Sequence, residues 1–177
     1  MAVAAYESMP ELSGFLHSVR SGLQDFADRF REEALLQTTR ELAGTVAAVE
    51  DLSRTVEQLQ VIGAHALQRQ NIAVAGETDR RFPWADPAPD RRDGRARRTG
   101  FRDTAEYLRA RLRISRSEAN RRLRLGAATL PSALMTGEEA PPKLATLGAA
   151  VAGSRISGQA ATLIHDAVER VRPAAKP

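Results

Sequence analysis

Between residues 33 and 71 the chain runs without a proline, and its apolar side chains recur on a seven-residue period. Leu42, Val49, Val56 and Gly63 make one row; Thr45, Leu52, Leu59 and Ala66 make a second, three residues after each member of the first. Two such rows are a heptad seam, a pattern that an α-helix alone presents to one neighbour. Val46 and Leu67 widen the stripe toward that of a globular bundle helix. At 1.5 Å per residue such a helix spans about 55 Å, more than a small bundle covers from end to end. It either packs in a bundle, folding back against the helix before it, or pairs with a second copy as a homodimer.

The rest of the chain agrees with a helical start. Hydrophobic residues make up 42% of the sequence but aromatics only 5%, so the core must be mostly Ala, Leu and Val, which points away from a β-sandwich. Before residue 33, Ser8 can cap a helix that carries Leu12, Phe15, Leu16, Val19, Leu23, Phe26 and Phe30 at helical spacing, with a break expected near Ser21 and Gly22. Residues 76–100, punctuated by Gly76, Pro83, Pro87, Pro89, Gly94 and Gly100, read as a basic linker. Within it, Phe82 and Trp84 are either an anchor on the bundle or a stacking site for a base. Order resumes near Arg102, with a helix over residues 104–113 that turns Leu108 and Leu112 inward. A second helix runs to about Leu130, followed by a loop near residues 137–142. Helices over residues 144–151 and from a Ser157 cap to Val171 complete the chain. The predicted fold is all-α: a helical bundle with a long N-terminal helix or helical hairpin (residues 1–75), the basic linker (76–100), and two helix-turn-helix-like hairpins (101–177).

Charge is unevenly distributed. The net charge is +4, yet residues 1–79 hold 6 basic and 12 acidic side chains, whereas residues 80–124 hold 15 basic and 6 acidic, a local surplus of +9. All basic residues except Lys143 and Lys176 are arginines, which suit bidentate phosphate contacts, although a GC-rich genome produces the same bias. No cysteine is present, which excludes a disulfide framework, an iron–sulfur cluster, a thiolate zinc site and a cysteine nucleophile. No apolar run approaches the roughly 18 residues of a membrane span, and the N-terminus lacks the basic start and apolar block of a secretory signal. A cytoplasmic protein with no membrane partner, no cofactor and no small-molecule substrate is expected.

The segment Leu112-Arg-Ile-Ser-Arg-Ser-Glu-Ala-Asn-Arg-Arg-Leu123 has the pattern of a turn followed by a recognition helix. Ser115 and Glu118 form an S-x-x-E capping box, in which the Ser115 hydroxyl accepts from the Glu118 amide and the Glu118 carboxylate reaches back to the Ser115 amide. Ala119 and Leu123 face inward. The candidate nucleic-acid-binding residues are Arg113, Arg116, Ser117, Asn120, Arg121, Arg122 and Arg124, because arginine reads guanine or neutralises phosphate and asparagine reads adenine. Arg113 stands where such turns place Gly, and Arg109 where a small Ala admits the neighbouring helix. The competing reading is a helical hairpin with a solvated basic face. Arg113-Ile114-Ser115 recurs as Arg155-Ile156-Ser157, with Ala119 matched by Ala161, as though one device served both hairpins.

His17, His65 and His165 fall on three separate helices. His165 and Glu169 have ligand spacing but no third partner, so a surface pair is expected rather than a metal site. No H-E-x-x-H, G-x-S-x-G or P-loop motif appears, and a catalytic role for these residues is not expected.

Phe101-Arg-Asp-Thr-Ala-Glu-Tyr-Leu-Arg-Ala-Arg-Leu-Arg-Ile-Ser-Arg-Ser-Glu-Ala-Asn-Arg-Arg-Leu-Arg-Leu125, the helix at residues 144–151, and Arg155-Ile-Ser-Gly-Gln-Ala-Ala-Thr-Leu-Ile164 together resemble the actinobacterial 13E12-repeat proteins, whose shared region is domain of unknown function 222. The resemblance covers about residues 100–171. It implies a helical domain that usually precedes an HNH endonuclease module. The chain ends at Pro177 without such a module, so a piece of a longer reading frame or a stand-alone remnant is expected. The readings carried forward are a non-catalytic, DNA-associated helical domain and, as the alternative, a structural module that self-associates through residues 33–71 without a nucleic-acid role.

Overall fold

The computed structural model describes residues 8–72, 101–134 and 138–172. The basic linker with Phe82 and Trp84 lies outside them. The expected all-α architecture is found: the described residues form helices α1 (Ser8–Glu33), α2 (Thr39–Arg69), α3 (Thr104–Leu112), α4 (Arg116–Thr129), α5 (Ala145–Ala152) and α6 (Gly158–Val171). Between α4 and α5, β1 (Ser132–Ala133) and β2 (Glu139–Ala140) form a minimal antiparallel ladder, with Ser132 opposite Ala140 and Ala133 opposite Glu139. The sequence predicts only a loop there, because strands of two residues carry no alternation to detect. The chain divides into two compact units, Met1–Val49 and Glu50–Pro177, and the division falls inside α2.

In the first unit, α1 runs through Ser21 and Gly22 without the expected break. An interior glycine costs a helix only about 1 kcal/mol relative to alanine, and no atom crowds Gly22 to force a bend. The interruption comes instead at residues 34–38, so the helix expected from residue 33 starts at Thr39. Thr38 and Glu41 explain the start. The Glu41 amide donates to the Thr38 hydroxyl at 3.4 Å and the Thr38 amide donates to the Glu41 carboxylate at 2.9 Å, a reciprocal capping box. Hydrogen bonds from the Thr38 hydroxyl and amide hold the Glu41 carboxyl below its ordinary value.

The second unit is built around α4, which enters both apolar clusters. In one, Ala64 of α2 meets Ala105, Tyr107 and Leu108 of α3 and Ala119 and Leu123 of α4. In the other, Val61 of α2, Leu125 of α4, Leu147 of α5 and Ala161 of α6 come together. Ala119 and Ala161 are wholly buried, so the helix axes approach where these small side chains lie. Gly126 serves the same end: a Cβ there would sit 2.8 Å from Cβ of His65. The His65 ring spans from α2 to the turn after α4, its Nε2 lying 3.0 Å from the Pro131 carbonyl. Leu108 is inward as expected, but Leu112 is 49% exposed, because α3 ends there and the chain turns away.

α2 turns an unexpected face to this core. Its packed side chains are Val61, Ala64 and His65, whereas the heptad rows remain open: Val49, Leu52, Val56 and Leu59 are 40%, 50%, 45% and 56% exposed.

Candidate nucleic-acid interface

The turn between α3 and α4 follows from three local choices. Asp103 caps α3, accepting from the Glu106 amide at 2.7 Å. That hydrogen bond, with help from Arg116, holds the Asp103 carboxyl below its ordinary range. Arg113 then adopts φ 56°, the left-handed conformation that a Gly in this place would take freely. Ser115 caps α4, accepting from the Glu118 amide at 3.0 Å. The expected return half of this capping box is replaced. The Glu118 carboxylate takes Arg121 through two bonds of 2.7 and 2.8 Å and Arg122 through one of 2.7 Å. Two guanidinium groups on the following turn outcompete one amide for a partly buried carboxylate. Arg121 foremost, then Arg122, pulls the Glu118 carboxyl down to about 2, against the opposing effect of burial.

The seven candidates therefore separate. Arg121 and Arg122 turn inward to Glu118 and leave the outward set; Arg122 is 9% exposed. Arg121 also faces Glu57 of α2, whose carboxylate accepts from the Gly158 amide at 2.7 Å and so meets the N-terminus of α6. Arg116 is exposed but ion-paired with Asp103 at 2.8 Å. Arg113 is exposed at the turn. Ser117, Asn120 and Arg124 share one face of α4 and look into an open groove of about 970 Å³ that is closed on other sides by Gln68, Asn71 and Arg102. The Arg124 guanidinium lies 3.5 Å from Asp166 of α6. The Asp166 carboxyl is lowered first by a hydrogen bond with His165, at 3.0 Å from its Nδ1, and then by Arg124. His165 and Glu169 do not pair with each other, for Glu169 takes Arg172 at 2.7 Å.

The groove lining combines Arg102, Arg124 and Asp103 with neutral polar side chains and the apolar Ala105, Leu123 and Ala127. Among the described residues, no three His, Asp or Glu side chains gather to hold a metal ion, and no helix is long and apolar enough to cross a membrane.

A family model described as Domain of unknown function (DUF222) matches residues 46–176. The chain belongs to this family. No curated protein and no solved structure matches it. The DUF222 match reaches back well beyond residue 100, where the resemblance in the sequence begins, and takes in α2 from residue 46 to its end. The packing gives the reason, since Val61 and Ala64 belong to the same two clusters as α3–α6. Gln68, Asn71 and Arg102, which line the DUF222 groove, and Glu57, which meets Gly158 and Arg121, are not signalled by the sequence. Glu57 lies 101 residues from its partner Gly158, and the other three carry no motif.

Proposed function

We propose that the DUF222 unit of this chain is a non-catalytic nucleic-acid-binding domain, and that it holds duplex DNA along the groove lined by Ser117, Asn120 and Arg124 of α4. The observation that carries this reading is one polar stripe on α4, joined in an open groove by Arg102, Gln68 and Asn71, with Asp103 also in the lining; Arg102 and the α4 residues lie within the stretch where the sequence concentrates its positive charge. Arg102 and Arg124 are suited to phosphates, and Asn120 to a base edge. Arg121 and Arg122 act indirectly, by holding α4 in place through Glu118. In relatives of the kind the resemblance implies, the domain would keep an HNH module on DNA.

A gel-shift titration on duplex DNA over a range of salt tests the proposal. Affinity should fall steeply with salt, and Arg102→Ala combined with Arg124→Ala should reduce the logarithmic salt slope by about 2, one for each phosphate contact. Absence of binding at low salt, or an unchanged slope in the double variant, sinks it. A second reading, a module that self-associates through α2, is favoured by the heptad face the fold leaves open.

A further inference from the structure

The exposed seam of α2 carries its own statement about what covers it. We infer that α2 pairs with α2 of a second copy of this chain, antiparallel and in one register. The inference deepens the self-association reading and is independent of the nucleic-acid one. Val46, Val49, Leu52, Val56, Leu59 and Ile62 are all open on a helix whose other face is used by the core. Val49 and Val56, and Leu52 and Leu59, repeat at heptad spacing, which keeps a seam against one partner helix, and Val46 and Ile62 flank it.

Side-chain volume chooses the orientation. The seam is bulky in its middle and small toward its C-terminal end, where Gly63 and Ala66 lie, and no atom occupies the space above Gly63. A parallel pair would set Gly63 on Gly63 and Ala66 on Ala66, leaving that end hollow. An antiparallel pair centred near Ser53 and Thr55 sets Leu42 on the partner's Ala66, Val49 on the partner's Leu59 and Leu52 on the partner's Val56. Gly63 then faces the partner's Thr45, so the small C-terminal residues meet Leu42 and Thr45 instead of each other, and the middle is filled by Val–Leu pairs.

Charge agrees. In the heptad register the positions flanking the seam between residues 46 and 62 are Val46, Ala48, Ser53, Thr55, Gln60 and Ile62, so no charge opposes close approach. Glu41 and Arg69 occupy equivalent flanking positions at the two ends. The antiparallel arrangement brings Glu41 beside the partner's Arg69 twice over, whereas the parallel one sets Glu41 beside the partner's Val46 and gives neither charge an opposite partner. Arg69 also meets Glu139 of its own chain at 3.2 Å, so the partner's Glu41 would share that guanidinium.

Sedimentation equilibrium of the full chain, followed by cysteine cross-linking, tests this. The chain should sediment at twice its 19.3 kDa mass at tens of micromolar. Leu52→Glu with Leu59→Glu should return it to 19.3 kDa without loss of helical circular dichroism, because both positions are exposed in the single chain. Leu163→Glu, on an exposed position of α6 outside the seam, should leave the dimer intact. The chain has no cysteine, so single cysteines report orientation directly. Ser53→Cys should cross-link on oxidation, while Ala66→Cys, held about 36 Å from its copy at 1.5 Å per residue, should not. A monomer at those concentrations, with the seam covered by α1 of the same chain, overturns self-association altogether. A dimer that survives Leu52→Glu with Leu59→Glu, or one that cross-links through Ala66→Cys, overturns the antiparallel seam alone.

Discussion

Two turns of this molecule are written with the same three residues, and they are held in different ways. Arg113-Ile114-Ser115 leads into α4 and Arg155-Ile156-Ser157 leads into α6. In both, serine caps the helix, accepting from the amide three residues on at 3.0 and 3.2 Å. In both, the isoleucine tucks against a core cluster, and the alanine four residues after the serine is completely buried. The carboxylates differ. The first turn carries its own, Glu118, on the third residue of the helix. The second has Ala160 there, and receives Glu57 from α2, which accepts from the Gly158 amide. Arg121 lies between the two carboxylates and joins one helix start to the other. One local device has been stabilised once in sequence and once in space, and the second solution ties α2 to α6.

The sharpest way to break the parallel is to crowd its shared alanines. Ala119→Leu and Ala161→Leu should each destabilise the fold by about 3 kcal/mol or more through overpacking, read as a lowered urea midpoint with unchanged slope. If either were tolerated, the helices would not be in contact through that residue.

The carboxylates should then separate the turns. Glu118→Ala should cost about 2 kcal/mol, since it strands two largely buried guanidinium groups. Glu57→Ala should cost about 1 kcal/mol, the loss of one charge-assisted hydrogen bond partly replaced by water. The pH dependence has a definite sign. Glu118 ionises more readily in the folded chain, at about 2 against an ordinary 4.5. Its contribution is therefore complete above pH 4.5 and is lost as pH falls toward 2. In a series of urea melts, wild type should lose about 2 kcal/mol over that window relative to Glu118→Gln. Equal losses in the two proteins would show that Arg121 and Arg122 do not act through this carboxylate.

The serines give a finer contrast. Ser115→Ala should cost about 1 kcal/mol, read as a lowered melting temperature. Ser157→Ala should cost less, because Glu57 still meets the α6 terminus. The smallest effect belongs to the turn itself. Arg113→Gly should be neutral or slightly stabilising, by up to about 1 kcal/mol, because the left-handed conformation strains any residue with a Cβ.

How much could be read beforehand divides along similar lines. The Ser115 and Ser157 caps and the buried Ala119 and Ala161 were legible because each depends on residues within a turn or two. The return half of the Ser115 capping box is not legible in this way, since two arginines one turn further on compete for Glu118. Leu112 looked inward by periodicity, but a helix that ends at residue 112 cannot present it to the core. Of the candidates on α4, Ser117, Asn120 and Arg124 share an outward stripe, while Arg121 and Arg122 turn inward to Glu118. Gln68, Asn71 and Arg102 join that stripe across the fold, and no spacing in the chain connects them.

What the amino-acid order settled by itself is therefore local: helical periodicity, capping, the helix-forming composition that excludes a sheet core, and the heptad repeat of α2. These depend on backbone hydrogen bonds and side chains only a few residues apart. Which face of α2 would meet the core was decided only in three dimensions. The heptad rows are the more apolar face, yet the bundle selects Val61, Ala64 and His65, because small and flat side chains there let α2 approach Gly126 and Ala119 of α4. Close packing rewards fit as well as hydrophobicity, and fit depends on surfaces that lie far apart in the chain.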